Sequence, residues 1–275
     1  MAGIPQFSNV NVRDIDDSRW QVPDFEAVEF RPRRTRYCLC VPVINEGERI
    51  RNQLQAMQPF ASLVDVIITD GGSVDGSLDH GVLKDNQVRT LLVKKGPGKL
   101  SAQLRIAYAY ALRQGYEGII TVDGNNKDGV DAIPRFANEL DRGTDLTQGS
   151  RYLPGGAAIN TPFSRTVAVK LLHIPAISLA AGFRYSDTTN GFRAYSRRLL
   201  LHPDVQPFRD IFDTYELLWY MSARAPRTGH IVREIPVTRE YPQSGPTPTK
   251  VRFVRGNLAI IKSLLRLLRG HYNPA

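Results

Sequence analysis

The sequence predicts an α/β fold: a mostly parallel sheet flanked by helices, followed by an amphipathic C-terminal helix. Two observations carry the sheet. Short β-branched runs alternate with segments of helical periodicity, and several of those runs stop abruptly at Asp, Gly and Asn. The third observation is a final segment in which basic and apolar residues separate at helical spacing. In order, residues 36–43 read as a strand and 46–59 as a helix with Ile50, Leu54 and Met57 on one face. Residues 64–69 form a second strand, 75–83 a short helix and 88–93 a third strand. A helix from Ser101 to about Arg113 leads into a fourth strand at 118–122. Residues 130–140 read as helix, 146–149 as strand, and 160–183 as helix broken at Pro175. Strands at 191–195 and 231–237 flank a helix at 213–223. A Pro-, Ser- and Thr-rich loop at 241–249 precedes the last helix, 250–269.

Composition bounds the class. With 275 residues, 42% hydrophobic and 23% charged, the chain reads as a soluble globular protein. No run approaches the roughly 20 uncharged apolar residues of a membrane span, since Lys170, His173 and Pro175 interrupt the most apolar one. Residues 1–35 read as a poorly structured extension without an apolar signal core, 36–240 as the main domain, and 241–275 as loop plus basic helix. A cytoplasmic protein is expected. Cys38 and Cys40, two apart on one strand, suit neither a disulfide nor a zinc site and read as small buried residues.

A net charge of +9 calls for an anionic partner. Nucleic acid fits less well, because the aromatics form no stacking platform and the charge gathers in the last helix. There, Arg252, Arg255, Lys262, Arg266 and Arg269 share one face, with Val251, Val254, Leu258, Ile261, Leu265 and Leu268 opposite. Such a helix suits an anionic membrane surface; the alternative is docking on the protein's own core.

The chemistry gathers at strand ends. Pro42-Val43-Ile44-Asn45-Glu46, the turn from Asp70 through Gly72 to Gly76, and Asp123-Gly124-Asn125 all open at one edge of a parallel sheet, where ligands bind. Asp123, Asn125 and Asp128 are oxygen ligands suited to Mg2+ or Mn2+, which would carry a diphosphate; a plain Asp-Gly-Asn turn is the alternative. Lys94 to Lys99 imitates a phosphate loop, but Leu100 stands where Ser or Thr is needed.

These residues resemble family-2 glycosyltransferases of the GT-A (Rossmann-like) fold, most of all the dolichyl/polyprenyl-phosphate mannose synthases. Pro42, Asn45 and Glu46 match the family's Pro-x-x-Asn-Glu, the Asp70 turn its acidic turn, and Asp123-Gly124-Asn125 its Asp-x-Asp. Gly149-Ser150-Arg151-Tyr152 and the segment from Asp187 to Arg193 resemble two later motifs. The resemblance implies an inverting transfer of a hexose from a GDP- or UDP-sugar to polyprenyl or dolichyl phosphate, at the inner face of the membrane. It implies that Asp70 and Glu46 meet the nucleoside, with Pro42, Asn45, Gly72, Lys99 and Lys127 around the donor. Asp123 and Asn125 would hold the cation. Asp123, Arg151, Asp187 and Arg193 would form the catalytic group. Two positions depart from the pattern: Asn125 replaces the second aspartate of the metal motif, and Gly71 the second aspartate of the acidic turn.

For the acceptor, the Gln-x-x-Arg-Trp motif of many hydroxyl-directed relatives is missing from residues 213–219. A phosphate acceptor needs cations in place of a base, and Arg151, Arg165, Arg193 and Arg239 are candidates. A soluble hydroxyl acceptor, with Asp187 or Asp213 as base, and a silent sugar-nucleotide binder are the alternatives.

Overall fold

The computed structural model describes residues 15–243 and 253–274. The strands are β1 (Phe25–Glu29), β2 (Tyr37–Val43), β3 (Val64–Asp70), β4 (Val88–Lys94), β5 (Gly118–Thr121), β6 (Leu146–Ser150), β7 (Ala157–Ile159), β8 (Arg193–Ser196), β9 (Val232–Pro236) and β10 (Thr238–Glu240). Eight of them form one sheet in the order β1-β4-β3-β2-β5-β8-β6-β9. β4, β3, β2 and β5 run parallel, β8 is antiparallel to both neighbours, and β9 is parallel to β6. The sheet is therefore mixed but mostly parallel, as expected.

Side-chain alternation divides the core. Cys38, Cys40, Ile67 and Ile119 face one layer, with α3 (Leu100–Arg113) and α8 (Glu216–Arg227). Leu39, Val41, Ile68 and Ile120 face the other, with α1 (Glu48–Met57) and α4 (Ile133–Asp141). Cys38 and Cys40 are both fully buried thiols, and burial pushes the Cys38 thiol up.

Several boundaries move. Residues 25–29, expected in a loose extension, pair antiparallel with β4 along the sheet edge, and Trp20 stacks on Phe208 at 3.9 Å. The segment's mixed charge hid this, because an edge strand half exposed to solvent needs few apolar residues. α2 (His80–Asp85) starts later than expected, where Asp79 caps it by accepting from the Gly81 and Val82 amides. The expected long helix at 160–183 becomes α5 (Phe163–Ala168), a π-turn at Val169–His173 and α6 (Ile174–Ala181). Pro175 follows the π-turn as the second residue of α6, inside an uninterrupted helical run, where it removes one backbone N–H from the ladder. β7 and β10, a short parallel pair beside the main sheet, were not expected from the sequence.

α7 (Arg197–Leu201) follows β8, and α9 (Phe253–Leu268) packs on α6 and α8. α9 turns Leu264 and Leu267 inward. Ile261, Leu265 and Leu268, from the apolar stripe read as facing a membrane or the protein's own core, stay exposed. Val251 and Arg252 lie outside the described residues, as do the side chains of Val254, Arg255 and Leu258.

Candidate active site

The carboxyl ends of β2, β3 and β5 come together at one edge, and their loops are laced to one another. After β2, Asn45 sits at a φ of 49°. Its side-chain oxygen accepts from the Val74 amide (2.8 Å), and its own amide donates to Ser73 Oγ (3.0 Å). Gly47 N donates to Asp75 Oδ2 at 2.8 Å. After β3, Asp70 Oδ1 accepts from the amides of Gly72 (3.1 Å) and Ser73 (2.8 Å), closing an Asx turn. Gly72 lies at φ 101°, a conformation that favours glycine. Glu46 pairs with Arg49 at 2.8 Å. Asn45, Glu46, Asp70 and Gly72 thus sit together, Asp70 shaping the loop that bears it.

Two glutamines missed in the sequence hold this edge. Gln53, fully buried on the apolar stripe of α1, donates to the Asp123 carbonyl (2.9 Å) and accepts from the Asn126 amide (2.6 Å). Gln103 on α3 donates to the carbonyls of Val43 (3.0 Å) and Thr69 (2.7 Å), tying β2 to β3. The available signal was a polar residue at an apolar position of a helix, since a buried amide needs partners.

Asp123, two residues beyond β5, is partly buried and closely framed by backbone. A Cβ on Gly124 would stand 3.0 Å from the Pro42 carbonyl, and one on Gly191 would stand 2.5 Å from Asp123 Oδ1. Both glycines therefore allow the carboxylate its place, and Pro42 lines a cavity of about 10 Å³ beside it with Leu100, Gly191 and Leu218. Lys99 is exposed at the rim, where its amide donates to the carbonyl of the exposed Asp213 at 3.2 Å.

A buried charge cluster lies next to it. Arg239, on β10, reaches Asp123 Oδ2 with Nη2 at 3.0 Å and bonds Asp128 through Nη1. The ring of Tyr241 carries Lys127 Nζ at 4.8 Å from its centroid, with the guanidiniums of Arg165 at 5.7 Å and Arg239 at 5.9 Å. Burial, then Arg239, pushes Lys127 down to about 8. Burial alone would lift the Asp123 carboxyl, but Arg239 and Lys127 outweigh it and hold it below its ordinary value. The Asp128 carboxyl is raised, chiefly by burial.

A divalent cation fits this set poorly. Asp123 is already paired with a guanidinium, Asn125 offers a neutral oxygen, and Lys127 places an ammonium within the same loop. Among the described residues no cluster of three His, Cys, Asp or Glu side chains is positioned to hold a metal. Asn125 Oδ1 and Asp128 Oδ1 are buried without a protein hydrogen bond and are the features that would suit a cation.

The other expected catalytic residues take structural positions. Arg151 grips Asp187 through Nε–Oδ2 at 2.6 Å and Nη2–Oδ1 at 3.0 Å, with Thr189 Oγ1 a third contact at 2.7 Å. Asp187 is fully buried, and this pairing overcomes burial to hold its carboxyl below its ordinary value. A carboxylate so engaged is a poor proton acceptor, and its partner guanidinium is already committed to it. Arg193 is likewise fully buried. It donates to the carbonyls of Asn190 (3.0 Å), Thr188 (2.9 Å) and Leu218, and to Ser222 Oγ at 3.1 Å. Arg151 and Arg193, expected to face a phosphate, both satisfy protein acceptors in this structure, whereas Arg165 and Arg239 belong to the cluster beside Asp123.

No protein-family model matches the chain. It is 28% identical over 208 residues to a polyprenol monophosphomannose synthase of Mycolicibacterium smegmatis, covering 74% of this chain and 77% of that protein. It is also 28% identical over 207 residues to an undecaprenyl-phosphate mannosyltransferase of Micrococcus luteus, covering 74% and 83%. Among solved structures it resembles glucosyl-3-phosphoglycerate synthase of Mycobacterium tuberculosis, in complex with Mn2+, UDP and phosphoglyceric acid. That match has a TM-score of 0.61 at 15% identity and covers 87% of this chain and 79% of the other. A complex of the same synthase with Mg2+ and UDP gives 0.58 at 17% identity, covering 84% and 77%. In sequence, then, this chain is a relative of the polyprenyl-phosphate mannosyltransferases, carried on the fold of the GT-A glycosyltransferases.

Proposed function

We propose that the protein is an inverting hexosyltransferase that moves a sugar from a nucleotide diphosphate donor to a polyprenyl or dolichyl phosphate. The observation that carries this reading is the laced strand-end edge. The loops after β2, β3 and β5 meet there, with Asp123 beside a cation cluster, in a chain similar to two lipid-phosphate mannosyltransferases. Asp70, Glu46 and Asn45 border the nucleoside, and Lys99 sits at the rim beside the phosphates. Lys127, Arg165 and Arg239 draw the negative charge of the diphosphate. An oxygen of the acceptor phosphate attacks the anomeric carbon, the bond from that carbon to the donor phosphate breaks, and the nucleoside diphosphate leaves with the electron pair. The attacking oxygen is already anionic, so no strong base is required.

Contact with a lipid is supported by the surface. Among the described residues no helix is long and apolar enough to cross a membrane. Yet α5, the π-turn and α6 expose Phe163 (83%), Leu171 (75%) and Leu179 (71%), and the neighbouring α9 exposes Ile261, Leu265 and Leu268 beside Lys262, Arg266 and Arg269. Apolar side chains fringed by cations suit the headgroup layer of an anionic bilayer, and we place this face on the cytoplasmic leaflet.

The test is transfer of radiolabel from GDP-mannose, UDP-glucose or UDP-N-acetylglucosamine to polyprenyl phosphate, read by extraction into organic solvent. Label in the organic phase is expected. Label on added phosphoglycerate instead would move the acceptor to the class named for the solved neighbours. Nucleotide binding with no transfer to any acceptor would identify a silent binder.

A further inference from the structure

The charge cluster beside Asp123 has a composition unlike a metal site. Two carboxylates, Asp123 and Asp128, face three cations, Lys127, Arg165 and Arg239, gathered round the Tyr241 ring. Lys127 is 6% exposed and Arg239 4% exposed. Like charges brought together out of water repel strongly, and the aromatic face and the two carboxylates offset only part of that repulsion. The cluster therefore carries an excess positive charge at the end of β5, where a donor diphosphate would lie. A bound divalent cation would add two further positive charges beside Lys127 and Arg239, and would have to share Asp123 with Arg239, which holds its Oδ2.

We propose that Lys127 and Arg239, assisted by Arg165, take the place of the divalent cation, and that this protein binds nucleoside diphosphates without metal. The inference rests on the sugar-nucleotide reading above and deepens it. As the bond between the anomeric carbon and the donor phosphate breaks, the leaving diphosphate gains charge. The fixed ammonium and guanidinium groups stabilise it there, a role that needs only position and charge. Arg239 shares its guanidinium between Asp123 and Asp128 before the donor arrives, so the site is assembled in advance and little has to be reorganised.

The experiment is calorimetric titration of the full chain with UDP and with GDP, first in chelator and then with saturating Mn2+, beside the electron paramagnetic resonance signal of free Mn2+. The expected result is binding of at least one nucleotide in chelator, with an affinity changed less than about threefold by Mn2+ and no loss of the free Mn2+ signal. Lys127→Gln, folded by its thermal transition, is expected to weaken binding in chelator by about tenfold, the scale of one lost charge-assisted contact. The double variant Asn125→Asp/Lys127→Gln is expected to regain affinity only when Mn2+ is present, a switch that general structural damage would not produce. Arg165→Gln, at a partly exposed position, is the second single variant, with a loss of about threefold expected. Wild-type affinity that rises more than about tenfold with Mn2+, or a Lys127→Gln protein that binds as well as wild type, overturns the proposal while leaving the donor assignment intact. Absence of nucleotide binding in both buffers removes the donor assignment, and the proposal with it.

Discussion

At the scale of single residues, the site depends on atoms that are missing. Gly191 has no Cβ, and one built there would stand 2.5 Å from Asp123 Oδ1. Gly191→Ala is therefore expected to displace the Asp123 carboxylate and reduce transfer by about tenfold or more, while costing about 1–3 kcal/mol of stability. Transfer kinetics beside chemical denaturation check this, and unchanged kinetics would show that Asp123 tolerates displacement. The pair Arg151–Asp187 makes the opposite kind of prediction. Its members are 3% and 0% exposed, so Arg151→Ala leaves a buried carboxylate without its partner. A loss of about 3–5 kcal/mol is expected by urea denaturation. Arg151→Ala losing activity at full stability would restore the direct catalytic role that the sequence alone suggested.

Between residue and fold, individual elements carry consequences of their own. The π-turn at Val169–His173 buries His173 edge-on against Trp219, ring centroids 5.4 Å apart. Burial, reinforced by Arg165 and opposed by Asp187, pushes this imidazole from its ordinary value near 6.5 down to about 4. The folded protein thus prefers the neutral ring. Its contribution to stability is fully present above pH 6.5 and is lost as pH falls towards 4, by up to about 3 kcal/mol. Denaturation midpoints across that window should fall for the wild type and fall less for His173→Phe. Equal slopes for both proteins would assign the acid sensitivity elsewhere. The elements also show where sequence patterning ran out. β2, β3 and β5 were legible because strands buried on both faces read as continuous apolar runs. β1 was not, because Phe25–Glu29 gains its order from pairing with β4, a partner more than sixty residues away. Which apolar residues of α9 meet the protein was not legible, because one helix bears two apolar stripes. Only packing against α6 and α8 selects Leu264 and Leu267 over Ile261 and Leu265.

For the molecule as a whole, the proposed membrane contact turns on how exposed apolar and charged side chains are distributed. The exposed apolar side chains of α5, α6 and α9 lie on helices that pack together, and exposed cations accompany them. The protein is expected to sediment with vesicles rich in anionic lipid at low salt and to release as salt rises, since charge attraction supplies part of the binding. Leu171→Glu/Leu265→Glu, at positions already open to solvent, should weaken vesicle binding by at least tenfold with little effect on folding. Transfer to a short-chain, water-soluble polyprenyl phosphate should survive in that variant. Its loss would tie these side chains to the site itself and not to a membrane.

Legible in the sequence were the layered α/β architecture and the strand ends that meet at one edge, with Asn45, Asp70 and Asp123 among their residues. Those features follow from local apolar pattern and turn chemistry, which neighbouring residues specify. Only the tertiary structure decided what each charged group does. Arg151, Arg193 and Arg239 look alike in sequence, yet one is bound to Asp187, one is spent on backbone carbonyls, and one reaches Asp123. The reason is that a buried guanidinium acts through whichever acceptors the fold brings within about 3 Å of it, and those come from segments far apart in the chain.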